Sequence, residues 1–316
     1  MNPKTKIGIL ALISVALIVV FMTIQSGGNW DYVLPRRGLK IGAIALTAAA
    51  IAFSTVVFQT VTNNRILTPS IIGLDSLYML TQTFIIFVFG SMHVALINPN
   101  WNFLLSVGLM IGFALLLYRF MFKKEGRNIY FLLLVGIVLG SLFGSMTTFM
   151  QVLIDPNEFL VLQSRMFASF NRINTGILAV AVVSMAVVAI YCIRLIKYLD
   201  VLALGREHAL NLGLPYNGLV KRLLVVVAIL TSISTALVGP ITFLGLLVAN
   251  IAYPFMKTYR HSFLLWASIL IGVIALTGGQ LVVERVFTFS TTISVIINFI
   301  GGVYFLYLLL KESKSW

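Results

Sequence analysis

Ile173 to Ile196 reads INTGILAVAVVSMAVVAIYCIRLI, and from Thr175 to Ile193 it carries no charged side chain. A stretch of this length and character is what a helix needs to cross a bilayer, because roughly 20 apolar residues span the hydrocarbon and every backbone group there must be bonded within the protein. Nine further runs of the same kind lie at residues 7–24, 39–59, 70–92, 101–120, 129–150, 217–238, 241–257, 262–283 and 293–311. They are too long and too continuously apolar for the alternating strands of a membrane barrel. The two runs flanking Gly239-Pro240 are the hardest to divide, since a short re-entrant segment has the same composition as a full span. The first run follows Lys4 and Lys6 as a secretory signal would, but no small-x-small site before Gly27-Gly28 marks a cleavage point, so it is read as retained.

Composition agrees. The 316 residues are 60% hydrophobic and 10% charged, with a mean hydropathy of +1.04. So few polar side chains cannot coat a water-soluble globule of this length. Soluble enzymes, nucleic-acid binders and secreted disulfide scaffolds are thereby excluded, and the single Cys192 reads as an inert thiol inside an apolar run. The expected architecture is all-α and polytopic, one transmembrane domain over residues 1–316 with about ten spans.

Basic residues orient the spans, because cytoplasmic segments are enriched in Lys and Arg. With the N-terminus inside, the inner set is Lys4, Lys6, Arg65, Arg119, Lys123, Lys124, Arg127, Arg194, Lys197, Arg206, Lys221, Arg222, Lys257, Arg260, Lys311 and Lys314. The outer set is only Arg36, Arg37, Lys40, Arg165, Arg172 and Arg285. Both termini are therefore expected in the cytoplasm, and the net charge of +13 is an inner-surface property suited to anionic lipid.

The longest inner connection, Lys197 to Lys221, reads KYLDVLALGREHALNLGLPYNGLVK. Leu204, Ala209, Leu210, Leu212 and Leu214 are punctuated by Gly205 and Gly213, which gives a short amphipathic helix bounded by turns. Its apolar face meets either a protein partner or the lipid headgroups. No G-x-x-x-x-G-K-[ST] loop is present, so the chain lacks the usual means of cradling ATP. His93, His208 and His261 are far apart and read as interface histidines, not as metal ligands.

Within the spans, Gly136, Gly140 and Gly144 recur at four-residue steps beside Ser141, Ser145 and Thr148. Close helix packing is the favoured reading of such a stripe; lining of a transport pathway is the sharper one. Thr291, Thr292, Ser294, Asn298, Gly301 and Gly302 make a similar strip on the last run. Asp75 falls near the inner start of the third run, where a carboxylate favours a helix N-terminus, and Glu284 and Arg285 fall at an outer helix end. All three read as structural or interfacial. No chain of buried carboxylates suggests proton coupling, which counts against a stand-alone secondary carrier, and no nucleophile–base pair, carboxylate pair or metal cluster suggests an intramembrane enzyme.

Several segments carry a resemblance over nearly the whole chain: LPR at Leu34–Arg36 before the second helix, Gln59 with NNRILTPSIIGLDSLY at Asn63–Tyr78, LALGREHALNLGL at Leu202–Leu214, VGPITFLGLLVANIAYPF at Val238–Phe255, and GGVYFLYLLLK at Gly301–Lys311. With these the chain resembles the permease subunits of type II ABC importers for iron-siderophore complexes, haem and cobalamin, the iron chelate uptake permeases.

The resemblance implies a multi-pass protein of the bacterial cell membrane. Two permease subunits of ten helices form the pore, two cytoplasmic ATPases hold the ATP and Mg, and an extracytoplasmic binding protein delivers the substrate. The permease itself would need no cofactor and perform no covalent chemistry. Coupling helices at about 198–216 would dock the ATPase through Gly205, Arg206, Glu207, His208, Ala209, Leu210, Asn211, Leu212 and Gly213, with Arg206, Glu207 and Asn211 fixing orientation. Arg36 and Arg285 match the positions that dock the binding protein, and Arg37 is their neighbour. Pathway candidates are Gly140, Ser141, Gly144, Ser145, Thr148, Thr291, Ser294 and Asn298.

Ala249-Asn250 stands where the family has Pro-His, Gln280 where it has Asp, and Asn64-Arg65-Ile66-Leu67 where it has Asn-Pro-Leu-Ala. These departures resemble the subgroup for catecholate-type siderophores such as petrobactin, in which two different permeases often pair. Haem or cobalamin permeases of the same family are the alternative.

Overall fold

The computed structural model describes residues 2–25, 28, 30–90, 98–121, 129–171, 173 and 175–313. Among the residues weighed above, His93, Lys123, Lys124, Arg127, Arg172 and Lys314 lie outside this set. The regular structure described is helical: α1 (Pro3–Thr23), α2 (Trp30–Thr62), a 3-10 turn (Pro69–Ile72), α3 (Leu74–Phe89), α4 (Pro99–Met121), α5 (Ile129–Leu153), α6 (Pro156–Met166), α7 (Thr175–Leu202), α8 (Arg206–Asn211), α9 (Tyr216–Val238), α10 (Leu244–Met256), α11 (His261–Arg285) and α12 (Ile293–Ser313).

Each of the ten apolar runs holds one helix, and α6 and α8 are additional. Among the described residues, eight helices are long and apolar enough to cross a membrane. The exceptions are α3 with 16 residues and α10 with 13, about 24 and 20 Å at 1.5 Å per residue against a hydrocarbon core of roughly 30 Å. Both are short for the same reason: the chain enters them through a turn held inside the bundle.

The first turn follows α2. Asn63 takes a left-handed conformation (φ 51°), and the chain folds back through the 3-10 turn to Gly73 (φ 88°), which both ends that turn and caps α3. This segment lies against α5. A Cβ on Gly136 would sit 2.8 Å from the Ile71 carbonyl oxygen, and one on Gly140 would sit 3.3 Å from Gly73 Cα. Gly140 is the twelfth of the 25 residues of α5, so the turn lies near the middle of that helix.

The second turn, Gly239 to Phe243, joins α9 to α10. Gly239 has φ 101°, and a Cβ there would lie 3.0 Å from Ala168 Cα. The Ser169 amide donates to the Val238 carbonyl at 2.8 Å, the Ala168 amide to Ser294 Oγ at 3.1 Å, and the Phe243 amide to Asn298 Oδ1.

The centre of the bundle is α2 packed between α9 and α11. Small residues permit the approach: Ala43, Ala48, Ala50 and Ala52 of α2 are buried, and Gly272 of α11 faces Ala48. Pro254 within α10 cannot donate to the Asn250 carbonyl four residues earlier. The Tyr304 hydroxyl of α12 donates to it instead.

Three expectations are corrected, and one helix is added to them. The second helix begins at Trp30, so Leu34-Pro35-Arg36 lies inside it and not before it. The segment expected to hold coupling helices contains a single six-residue helix, because α7 continues to Leu202. The connection after α5 contains α6, signalled by Asp155-Pro156: the Asp155 carboxylate caps the Asn157 amide and Pro156 takes the first helical position. Asp75 stands in the first turn of α3, as expected for a carboxylate at a helix N-terminus, but that turn lies beside the middle of α5 and not at an end of the bundle.

Gly136→Ala forces the 3-10 turn away from α5 and is expected to cost about 1–3 kcal/mol of stability. Gly144→Ala, whose methyl would meet nothing within 4 Å, is expected to cost nothing. Thermal unfolding of the two purified variants in detergent checks the contrast.

Candidate functional site

Three regions bear on function: the α8 segment, the face opposite the chain ends, and the polar strips on α5 and α12.

The N-terminal end of α1 and the C-terminal end of α10 meet where Lys6 Nζ donates to the Phe255 carbonyl at 2.6 Å. The same face carries the end of α2, the end of α7, α8, and the starts of α9 and α11. Here α8 is fixed at both termini. Gly205 (φ 93°) precedes it in a conformation that suits glycine alone. Beyond it the Leu214 amide donates to the Ala209 carbonyl and the Gly213 amide to that of Leu210, with Gly213 left-handed (φ 78°). That is the hydrogen-bond pattern of a glycine-terminated helix. Ala209 is fully buried against the bundle, whereas Leu204, Leu210 and Leu212 are 56%, 47% and 63% exposed. Arg206, Glu207, His208 and Asn211 are also exposed. The result is a rigid knob with an apolar tip and a charged flank.

Behind the knob, His261 of α11 is buried. Its Nδ1–H and its backbone amide both donate to Asp200 Oδ1, each at 2.7 Å, and Nε2 lies 2.9 Å from Thr60 Oγ1. Because a carboxylate only accepts, Nδ1 carries the proton. This network joins the last turn of α7, immediately before α8, to α2 and α11. Two of the residues that depart from the resembled family's pattern meet beside it. Asn250 Nδ2 donates to the Arg65 carbonyl at 2.9 Å, as does Gln59 Nε2 at 2.6 Å, and the Arg65 guanidinium lies 4.6 Å from the Tyr253 ring. The third departure, Gln280, donates to Glu284, which pairs with Lys40 at 2.7 Å across α2 and α11. Sequence reading left these partnerships unassigned, since none joins residues at helical spacing except Gln280 with Glu284.

On the opposite face the three arginines separate. Arg37 Nη1 donates to the carbonyls of Phe21, Met22 and Ile24, closing the C-terminus of α1. Arg285 donates to the Ile24 carbonyl and to Gln25 Oε1. Arg36 is exposed, and its guanidinium stacks 4.3 Å from the Tyr32 ring. Arg36, Arg37 and Lys40 line a cavity of about 700 Å³ that Phe170 and Phe289 also border.

The α5 strip divides too. Gly140 packs on Gly73, while a Cβ on Gly144 would meet nothing within 4 Å, and Ser141, Ser145 and Thr148 are exposed. On α12, Ser294 and Asn298 accept the backbone amides of Ala168 and Phe243, and Thr292 bonds to Ser294. Thr291 is partly exposed. A Cβ on Gly301 would lie 2.5 Å from Phe243 Cβ, so that glycine serves packing. Within one chain the strips do not form a common wall: α5 packs on α3 and the 3-10 turn, and α12 packs on α10 and α11.

The arginines' different bonds give a testable distinction. Arg37→Ala removes charge-assisted bonds to three helix-end carbonyls and is expected to cost about 1–3 kcal/mol in thermal stability, whereas Arg36→Ala is expected to leave the melting temperature unchanged.

The FecCD transport family model matches residues 6–311. The chain is 62% identical over 316 residues, all of both sequences, to the petrobactin import system permease protein YclO of Bacillus subtilis (strain 168). It is 38% identical over 280 residues to the petrobactin import system permease protein FatC of Bacillus anthracis, covering 89% of this chain and 79% of that one. A solved structure described as an inward-facing metal-chelate-type ABC transporter superposes with a TM-score of 0.85 at 21% identity, covering 98% of this chain and 100% of that one, which establishes the shared fold. The match over residues 6–311, together with 62% identity along the whole chain to one permease, gives one assignment: the chain belongs to the FecCD transport family of permeases.

Proposed function

We propose that the chain is the membrane-spanning subunit of an ATP-driven importer that carries a ferric siderophore of the petrobactin type across the bacterial cell membrane into the cytoplasm. Full-length identity of 62% to a petrobactin import permease supports the substrate class. The observation that carries the mechanism is the α8 knob. Its apolar tip is exposed on a mount with buried Ala209, and its charged flank supplies orientation. Such a surface suits a groove on a separate ATPase better than headgroups, because both helix ends are locked by glycine turns and the mount continues into α7. Nucleotide-driven closure of two ATPases would then move the α7 end, and through Asp200, His261 and Thr60 would pull on α2 and α11 together.

In this reading the chain ends lie in the cytoplasm. The opposite face receives a binding protein, with exposed Arg36 offering a guanidinium to an acidic side chain; Arg37 and Arg285 shape that surface by holding the end of α1. A second permease, identical or related, completes the pore, and the exposed Ser141, Ser145 and Thr148 of α5 face the pathway between the two. The chain holds no cofactor of its own; ATP and Mg belong to the partner.

Leu210→Asp with Leu212→Asp is expected to release the ATPase from the detergent-purified complex while the melting temperature of the permease stays unchanged. Each buried interface leucine is worth roughly 2 kcal/mol, about 30-fold in affinity. Normal ATPase stoichiometry in that variant would show that α8 is not the docking element. Uptake by proteoliposomes containing the permease alone would show a carrier in place of an ATP-driven importer.

A further inference from the structure

Where α3 begins inside the bundle, a carboxylate lies among hydroxyl groups. Thr235 Oγ1 donates to Asp75 Oδ1 at 3.0 Å, and Ser70 lines the cavity beside it. No ion pair joins Asp75 to a described cation; the described pairs Lys40–Glu284 and Asp200–His261 lie elsewhere. Asp75 borders a small cavity of about 20 Å³ that Ser54 and Thr55 of α2, Thr68 and Ser70 of the turn, and Thr231 and Thr235 of α9 also line. That volume holds one water-sized particle. Ser54 is 1% exposed, and its Oγ has no hydrogen-bond partner.

We infer that this cavity is a sodium site, in which Asp75 supplies the one negative charge and the surrounding hydroxyls supply neutral oxygen ligands. A carboxylate held by a threonine hydroxyl and bordering a polar cavity inside the bundle is offset either by a proton or by a bound cation, and the orphaned Ser54 oxygen beside it supplies a ligand that a proton does not use. One carboxylate among neutral oxygens matches a monovalent hard cation; a divalent ion would call for further carboxylates. The place is also the one where membrane proteins build such sites: an interrupted helix near mid-depth, where irregular backbone borders a polar cavity. The ion would tie the turn before α3 to α2 and α9, fixing the segment that lies against Gly136 and Gly140. The inference stands on this geometry and does not depend on the transported substrate.

The test compares thermal unfolding of the full chain in lipid nanodiscs in sodium chloride and in choline chloride of equal ionic strength, alongside equilibrium binding of radioactive sodium. Sodium is expected to raise the melting temperature by several degrees with half-saturation in the millimolar range, and to bind at one ion per chain. Asp75→Asn, which keeps the side-chain shape, is expected to abolish both effects. Ser54→Ala is expected to raise the half-saturating sodium concentration several-fold, and keeps the test open should the Asp75 variant fail to fold. Equal melting temperatures in the two salts would overturn the inference. So would a sodium effect that survives in Asp75→Asn, or a dependence on pH without one on sodium, which would mean a protonated carboxyl beside a water.

Discussion

A peptide group inside a bilayer must find its hydrogen bond within the protein, and the fold is organised around the two places where helices cannot supply it. After α2, side chains do the work: Gln59 and Asn250 converge on the Arg65 carbonyl, and Asn64 Oδ1 accepts the Ile66 amide. Between α9 and α10, the Val238 carbonyl takes the Ser169 amide, while Ser294 and Asn298 take those of Ala168 and Phe243. Polar residues in apolar spans therefore complete the backbone of neighbouring segments. The glycines opposite them let those segments come close enough for the bonds to form.

This constraint also explains which parts of the fold can be read from the sequence. Ten apolar runs give ten helices, because length and hydropathy are properties of one segment. The α8 knob is equally legible, since Gly205 and Gly213 bracket its apolar positions. The early start of α2 at Trp30 was hidden by polar residues that lie beyond the hydrocarbon, and α6 by its modest hydropathy, although Asp155-Pro156 carried the signal. The partners of Arg65, His261 and Glu284 were not legible, because each bond joins segments whose proximity is decided only when the bundle assembles. Ser294 and Asn298 show the limit most clearly: their spacing suits a pathway, yet both oxygens are occupied by amides from other segments.

The arginines of the opposite face illustrate the same limit at single-residue scale. Arg36 and Arg37 are adjacent in sequence, but neighbouring positions on a helix point about 100° apart. Arg37 thus reaches the carbonyls at the end of α1, while Arg36 turns to Tyr32 and solvent. A motif that records only basic residues merges a structural clamp with a free guanidinium. Their separation places the clamp where it sets the position of α1, and the free group where a partner can reach it.

The carboxylates follow one rule with an exception. Glu284 is met by Lys40, and Asp200 by the imidazole of His261, so each charge that ties two helices has a counter-group on another helix. Asp75 ties α3 to α9 through the Thr235 hydroxyl, with no described cation as partner. Hydroxyls can orient a carboxylate but cannot neutralise it. The same cavity that leaves Ser54 without a partner is therefore where the proposed ion would complete the charge balance of the bundle, in place of a proton on Asp75.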